Sequence, residues 1–216
     1  MSTLDDLGPV PPAPGERAPS RPPVPGAGVT VLAGPTAVGK GTVSAYIREH
    51  YPQAWLSVSA TTRAARPGEE DGVHYYFTTP EEFDGLVERD EMLEWAVVHG
   101  AHRYGTRRDR VMDAVAAGRH VLLEIDLQGA RQVRRTLPEA TFVFLAPPSW
   151  EELVARLVGR GTEGPAEQRR RLETARLELA AEPEFDAVVV NDTVERAAAE
   201  LVRLMGLDPA SGVPAA

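Results

Sequence analysis

Short apolar runs alternate with segments of helical periodicity along most of the chain. The apolar runs cover 29–33, 56–58, 121–125, 142–145 and 187–190, and the helical patterns cover 40–50, 128–136, 149–159, 166–181 and 194–205. Nearly continuous apolar strands separated by helices are typical of a parallel sheet with helices on both faces. The pattern therefore predicts an α/β fold built on such a sheet.

The segment 59–107 interrupts this alternation. Its short strand candidates are 74–77, 93–98 and 103–105. Between them, Thr79 is followed by Pro80, Glu81 and Glu82, which predicts the start of a helix: a capping hydroxyl, proline in the first turn and acids at the positive end of the helix dipole. We expect this segment to form a smaller lobe inserted into the parallel fold.

The two ends of the chain have a different composition. Residues 1–28 are dominated by Pro, Gly, Ala and Ser, which predicts a disordered tail because such a segment buries little apolar surface. Residues 208–216 have the character of a second, short tail. No apolar run approaches the roughly 20 residues that span a bilayer, and no signal-like segment is present at the N-terminus, so we expect a cytoplasmic protein without membrane contact.

Charge and cysteine content exclude several kinds of site. The net charge of −9 argues against a general nucleic-acid binder, which needs excess positive charge. The absence of cysteine excludes disulfides, thiol chemistry and thiolate metal sites. All basic residues except one are arginine, and the single lysine, Lys40, lies in a glycine-bracketed loop.

That loop, "GPTAVGK" at 34–40, has the features of a phosphate-binding loop. It follows a predicted strand and opens a predicted helix, so its amides and the helix N-terminus supply positive partial charge. In the common form a hydroxyl residue follows the lysine and binds magnesium, but here Gly41 has that position and Thr42 comes one later. The candidate ATP-binding residues of the loop are Gly34, Pro35, Thr36, Ala37, Val38, Gly39, Lys40, Gly41 and Thr42.

Two groups of arginines suggest where a phosphoryl group would go. Arg63 and Arg66, with Tyr75 nearby, form a plausible cradle for an acceptor phosphate because guanidinium groups bind phosphate through paired hydrogen bonds. Arginines on a mobile flap can close over transferring phosphates and exclude water. The second group, beside the stretch "GRGTEGPAEQ", consists of Arg156, Arg160 and Arg171.

A set of motifs in a fixed order resembles the guanylate kinase family. They are "SVSATTRAARPGEEDG", "LEWA", "YGT", "EIDLQGA", "FLAPPS", "RLVGRGTE" and "VVVND", and the similarity runs from about residue 29 to residue 206. The loop ending Gly-Lys-Gly-Thr is similar to those of nucleoside monophosphate kinases. The resemblance implies phosphoryl transfer from ATP to GMP, with dGMP as a further acceptor, in the presence of Mg²⁺.

The resemblance also implies a P-loop NTPase-type parallel sheet flanked by helices, with an inserted GMP-binding lobe and a lid. On this reading the core comprises 29–58, which contains the P-loop, together with 108–158 and 172–207. The GMP-binding lobe is 59–107 and the lid is 159–171. ATP and GMP are the expected partners, and the oligomeric state stays open.

Individual roles also follow from the resemblance. Arg63, Arg66, Tyr75 and Tyr104 would hold the GMP phosphate, and Ser59, Glu94, Thr106 and Asp126 would bind the base. Asn191 matches the region that packs on adenine. Thr42 and Glu124 are the candidate magnesium residues, the latter through water, and Gly41 leaves the coordination open. The predicted catalytic residues are Lys40, Arg63, Arg156, Arg160 and Arg171.

Guanine chemistry agrees with the role implied for Glu94. Guanine presents N1–H and a 2-amino group as adjacent donors, and one carboxylate accepts from both. Adenine has no such donors, so its complex would leave a buried carboxylate unpaired. Two alternatives stay open: another small-molecule P-loop kinase, such as an adenylate or sugar-phosphate kinase, and a non-catalytic binding module on the same fold. Glu94 with Ser59 argues against the first, and Lys40 with both arginine groups argues against the second.

Overall fold

The computed structural model describes residues 28–98, 102–158 and 165–212. The predicted N-terminal tail except Gly28, the first six residues of the predicted lid (159–164, which include Arg160) and residues 213–216 lie outside the described residues. Within the described residues the strands are β1 (Val29–Ala33), β2 (Ala54–Leu56), β3 (Ala60–Thr61), β4 (Tyr76–Phe77), β5 (Met92–Val98), β6 (His102–Arg107), β7 (His120–Glu124), β8 (Thr141–Ala146) and β9 (Ala187–Val190). The α-helices are α1 (Lys40–His50), α2 (Pro80–Glu88), α3 (Arg108–Ala116), α4 (Leu127–Thr136), α5 (Trp150–Val158), α6 (Pro165–Leu179) and α7 (Val194–Leu204).

Five strands form a parallel sheet in the order β2-β7-β1-β8-β9. Alternate residues of each strand enter two separate apolar clusters. On one face Leu32 packs with residues of α1, α5, α6 and α7, and on the other face Val31 packs with residues of α3 and α4. The predicted parallel sheet with helices on both faces is confirmed, because each face of these strands is buried against helices.

A second sheet forms the lobe, in the order β4-β3-β6-β5. β5 and β6 pair antiparallel along most of their length, and α2 covers the sheet through Phe83 and Leu86. The helix begins as predicted: the Thr79 hydroxyl accepts the Glu82 amide at 3.1 Å, and the Glu82 carboxylate accepts the Thr79 amide at 2.8 Å. This reciprocal capping satisfies two amides that a helix N-terminus leaves free.

Some elements differ from the sequence prediction. β2 is at Ala54–Leu56 instead of 56–58, because the chain leaves the core sheet after the Ser57 amide bonds to the Leu122 carbonyl at 3.0 Å. The pattern did not predict α3, because only Val111 and Ala114 are buried in this helix and several of its other residues are charged. It also missed the two-residue strand β3.

The C-terminal segment is more ordered than a tail. Residues 209–211, expected within the short tail 208–216, form a 3-10 helix after α7. The following Gly212 lies so close to Tyr51 that a Cβ there would be 2.9 Å from the tyrosine ring. The described part of this segment therefore packs on the end of α1.

The carboxyl ends of the core strands position the candidate site. β1 leads directly into the glycine loop and α1, β7 ends at Glu124 just before Asp126, and β9 is followed by Asn191. In a parallel sheet these ends share one edge, where open α/β folds bind ligands. The loop, two acids and the asparagine therefore meet although they are far apart in sequence.

Candidate active site

At two glycines of the loop, the backbone lies close to other parts of the protein. A Cβ at Gly34 would lie 2.3 Å from the Leu145 carbonyl oxygen, so no side chain fits there. Gly39 has φ 102° at the N-cap of α1, and a Cβ there would lie 2.6 Å from the Asn191 amide nitrogen. Ala37 adopts a left-handed conformation with φ 66°, which costs a non-glycine residue about 1 kcal/mol. The loop is thus held in a conformation that an unconstrained chain would avoid.

Lys40 folds its ammonium group over this loop. Its Nζ donates to the Gly34 carbonyl at 2.7 Å and to the Pro35 carbonyl at 3.3 Å. Burial lowers the pKa of Lys40, while the nearby carboxylates, first that of Glu178, act in the opposite direction. The positive charge therefore lies at the mouth of the loop among neighbouring acids.

Two residues anchor the Val38 carbonyl from outside the loop. The Asn191 side chain, 5% exposed, donates to it at 2.8 Å, and Arg156 Nη1 donates to it at 3.1 Å. Arg156 also donates to the Asn191 carbonyl at 3.3 Å. The structure thus places Arg156 and Asn191 against the loop, and their predicted roles at the transferring phosphate and at adenine stay predictions.

The loop opens into a cleft of about 810 Å³. Lining residues include Lys40, Thr42, Glu124, Arg156 and Asn191. Ligand sites commonly occupy roughly 300–1,000 Å³, so the cleft is large enough for a nucleotide.

A carboxylate that the sequence reading did not select holds the loop on its other side. The Thr36 amide donates to Glu178 Oε2 at 2.8 Å, across 142 positions of sequence. Glu178 lies near the end of α6, whose first residues, 165–171, belong to the predicted lid. No local pattern marks it, because it has the spacing of an ordinary helix-surface acid.

Oxygen donors for a divalent cation lie next to the loop. Thr42 and Glu124 are both exposed, and the Glu124 carboxylate is 3.6 Å from the point where a Gly41 Cβ would be. Among the described residues no group of three or more His, Cys, Asp or Glu side chains could hold a metal ion. Mg²⁺ commonly takes one or two protein oxygens and completes its shell with phosphates and water, so these two residues fit it.

In the lobe, Arg63 lies at the centre of the predicted acceptor-phosphate group. Its Nε donates to the Tyr104 hydroxyl at 3.2 Å, and its guanidinium carbon lies 5.3 Å from the centre of the Tyr75 ring. Both terminal nitrogens of Arg63 donate to Glu69, at 2.9 and 2.8 Å. That hydrogen bonding lowers the pKa of Glu69 to about 2, so the ion pair persists across physiological pH.

Glu69 also binds Arg66, another residue predicted to contact the acceptor phosphate. The Arg66 amide donates to Glu69 Oε2 at 2.7 Å, and the Arg66 residue is exposed. Ser59 lies just before β3, and its carbonyl accepts the Tyr76 amide at 2.9 Å. The structure therefore brings Arg63, Tyr75 and Tyr104 together, and Glu69, which sequence reasoning missed, bonds both Arg63 and the Arg66 amide.

Glu94 on β5 is a buried acid, 7% exposed. It accepts a hydrogen bond from the Thr106 hydroxyl on β6 at 2.7 Å. The pKa of Glu94 is raised to about 7, first by burial and further by the negative charge of Asp126, while the hydrogen bond from Thr106 acts in the opposite direction. Of the four residues predicted to bind the base, Glu94 and Thr106 therefore touch each other, and Asp126 is close enough to influence Glu94.

Asp126 approaches the same point from the core. It caps α4 by accepting the Gly129 amide at 2.7 Å. A Cβ at Gly129 would lie 3.1 Å from Glu94 Oε2 and 3.3 Å from Asp126 Oδ1. The two carboxylates thus share the N-terminus of α4, where the helix dipole favours negative charge.

The lid arginines are described only in part. Arg156 is at the loop, as above, and Arg171 lies on α6 with a partly exposed side chain. Arg160 lies outside the described residues.

Among the described residues no helix is long and apolar enough to cross a membrane.

A phosphate loop at the edge of a parallel sheet, facing a lobe with an arginine-tyrosine group and a buried carboxylate, defines a P-loop phosphotransferase. The family model described as guanylate kinase matches residues 27–207. The guanylate kinase of Leifsonia xyli subsp. xyli is 64% identical over 182 residues, which cover 84% of this chain and 72% of that protein. That of Cutibacterium acnes is 62% identical over 179 residues, 83% of this chain and 90% of that protein.

A solved structure agrees. The crystal structure of guanylate kinase from Anaplasma phagocytophilum has a TM-score of 0.62 and 35% identity, covering 84% of this chain and 85% of that one. The chain belongs to the guanylate kinase family. It is a nucleoside monophosphate kinase, and the prediction drawn from its motifs is confirmed.

Proposed function

We propose that the chain transfers the γ-phosphoryl group of ATP to GMP in the cleft between the glycine loop and the lobe, and that dGMP is also an acceptor. The buried pair of Glu94 and Thr106, beside Asp126, carries this proposal, because it offers a desolvated carboxylate to the donors of a guanine base. None of the side-chain contacts assigned to base or phosphate requires a ribose 2′-hydroxyl. The family supports the reaction, and the residue roles are those that the resemblance to the family implies.

On the donor side, residues 34–42 form the loop around the ATP phosphates, amides from Ala37 onward point to them, and Lys40 supplies a positive charge. The lysine is held by carbonyls of its own loop, so it needs little reorganisation to meet a phosphate oxygen. Asn191 and Arg156 keep the loop in shape through Val38. Thr42 and Glu124 would hold Mg²⁺, the acid through water, and the ion would neutralise charge on the ATP phosphates.

On the acceptor side, Arg63, Arg66, Tyr75 and Tyr104 bind the GMP phosphate. Glu69 and Tyr104 orient Arg63 before GMP binds, which reduces the entropy lost on binding. Ser59, Glu94, Thr106 and Asp126 bind guanine. The ionised form of Glu94 accepts N1–H and the 2-amino group together, while the Thr106 hydroxyl bonds the same carboxylate.

The transfer is in-line and has no covalent enzyme intermediate. A GMP phosphate oxygen forms a bond to the γ-phosphorus while the bond from that phosphorus to the bridging oxygen of ADP breaks. No general base is required, because the second pKa of a phosphate monoester is about 6. Arg156, Arg160 and Arg171 offset the developing charge, and closure of the lid excludes water so that ATP is not hydrolysed.

Replacing the lysine tests this mechanism. We expect Lys40→Met to reduce kcat for GMP phosphorylation by at least about a thousandfold, since several kcal/mol of transition-state stabilisation are removed. A coupled ADP-release assay measures the rate, and circular dichroism confirms that the variant is folded. Near-normal activity in the folded variant would contradict the assignment.

An acceptor screen tests the substrate and the alternatives. We expect phosphorylation of GMP and dGMP, and much slower turnover of AMP, UMP and ribose phosphates, because these lack the paired donors that Glu94 accepts. A preference for AMP or a sugar phosphate would favour another P-loop kinase. Nucleotide binding without transfer would favour a non-catalytic module.

A cytoplasmic location and the absence of nucleic-acid partners belong to the same proposal.

A further inference from the structure

Strand β5, which carries Glu94, is at the edge of the lobe sheet. The sheet order β4-β3-β6-β5 gives β5 a strand neighbour on one side only. Its other side faces α4, a helix of the core. An edge strand leaves backbone groups unpaired unless another element covers them, so the contacts made by α4 decide how β5 is held.

Two side chains of α4 bond the backbone of β5. Gln132 Oε1 accepts the Trp95 amide at 3.1 Å, and Gln132 Nε2 donates to the Trp95 carbonyl at 2.9 Å. These are the two bonds that a residue of a neighbouring antiparallel strand would make. One turn further, the Thr136 hydroxyl donates to the Leu93 carbonyl at 2.8 Å. The bonded residues, Leu93 and Trp95, flank Glu94.

The same helix carries the second carboxylate of the site. Asp126 caps α4, and Gly129 in its first turn lies against both Asp126 and Glu94. Gln132 is about 9 Å beyond Asp126 along the helix axis, at 1.5 Å per residue. The helix that presents one acid is therefore bonded to the strand that presents the other, at the residue next to Glu94.

We propose that Gln132 is a positioning residue for guanine recognition, which fixes the Glu94 carboxylate relative to Asp126 by bonding the backbone of Trp95 to α4. This inference rests on the proposed role of Glu94 in binding guanine. Gln132 acts through β5 and makes no contact with the reacting phosphates. Thr136 supports the same attachment with one bond instead of two.

Such a role has a specific kinetic signature. Inosine monophosphate keeps the N1–H of guanine but lacks the 2-amino group, so it makes one bond to the carboxylate where GMP makes two. When the carboxylate is less well placed, the second bond is lost first, and the preference for GMP over inosine monophosphate falls. The ATP site is built on β1 and α1, so the KM for ATP should not change.

The experiment compares four forms of the full chain: wild type, Gln132→Met, Thr136→Val and the control Gln128→Met. Gln128 is exposed on the first turn of the same helix and, among the described residues, makes no hydrogen bond to β5, so its substitution is a chemically matched control. Steady-state constants are measured for GMP, inosine monophosphate and ATP, with thermal unfolding to confirm folding. We expect Gln132→Met to raise the KM for GMP about tenfold and to lower the GMP preference about fivefold, with kcat and the KM for ATP within about twofold.

Thr136→Val should act in the same direction, with a change of about threefold, and it serves as the test if Gln132→Met does not fold. Gln128→Met should match wild type. A folded Gln132→Met variant that keeps the wild-type preference for GMP over inosine monophosphate would overturn the inference. Equal increases in the KM for GMP and the KM for ATP would also overturn it. A fifth form, Glu94→Gln, separates that result from a failure of the proposed function: if the wild-type protein phosphorylates GMP and Glu94→Gln loses the preference for GMP, the proposed role of Glu94 stands.

Discussion

The carboxyl group of Glu94 has little contact with water and lies beside a second carboxyl group, that of Asp126. Its environment therefore favours the protonated acid, whereas guanine requires the ionised form. Thr106 partly offsets this conflict by donating to the carboxylate. Since the pKa of Glu94 is about 7, both forms are present in the free enzyme near neutral pH.

Acid pH should weaken GMP recognition. Protonation of Glu94 converts an acceptor into a donor, so kcat/KM for GMP should fall as the pH drops below about 7, approaching tenfold per pH unit, while the KM for ATP changes little. The measurement is a pH profile of kcat/KM between about pH 5.5 and 8.5.

The GMP phosphate titrates near pH 6 as well, so Glu94→Gln is the control. That variant should have a lower kcat/KM throughout and should lack the inflection near 7. The same inflection in wild type and variant would assign it to another group.

The same residue should cost stability at high pH. The pKa of Glu94 is higher in the folded state than in the unfolded state. The stabilising contribution of Glu94 to the free energy of unfolding is therefore fully present below the unfolded pKa, and it is lost as the pH rises through about 7. We expect Glu94→Gln to gain roughly 2–3 kcal/mol relative to wild type between pH 5 and pH 8. Urea unfolding of both proteins at the two pH values measures this, and an unchanged difference would show that Glu94 is ionised at both.

At the level of elements, α6 is the longest helix among the described residues, and it connects the predicted lid with the glycine loop. α6 begins at Pro165, just after the part of the predicted lid outside the described residues, and Glu178 near its end bonds the Thr36 amide in the glycine loop. One helix thus links the predicted lid to the glycine loop. The bond joins a charged acceptor to a backbone amide, which is a strong type of hydrogen bond.

Removing this bond should weaken ATP binding and leave GMP binding nearly unchanged. For Glu178→Met we expect the KM for ATP to rise about fivefold and the free energy of unfolding to fall by about 1–2 kcal/mol, with the KM for GMP nearly unchanged. Steady-state kinetics and urea unfolding measure the two effects.

Glu173→Met is the matched control, because Glu173 is exposed on the same helix. It should behave as wild type. A lower KM for ATP in Glu178→Met would contradict the expected role, since it would mean that the carboxylate competes with phosphate for the loop amides.

For the whole molecule, the sequence was sufficient wherever one residue or one short pattern determines the outcome. Lys40 and Gly39 were found because the loop is continuous in sequence, and the apolar runs predicted most core strands because each is buried on both faces. Residues such as Gln132 and Glu178 could not be found in this way. Their partners lie on other elements, and an uncharged or acidic side chain on a helix has the pattern of an ordinary solvated position.

The sheet order limits when the site can form during folding. β1 pairs with β7 and β8, and Val29 lies opposite Val121, so the entire lobe is a loop between the two partners. Pairs this distant close slowly, because chain entropy is lost before the contacts form. The last support of the glycine loop, Asn191, follows β9. A chain emerging from the ribosome can therefore complete the lobe early, but it acquires its ATP site only after almost the whole core has been synthesised.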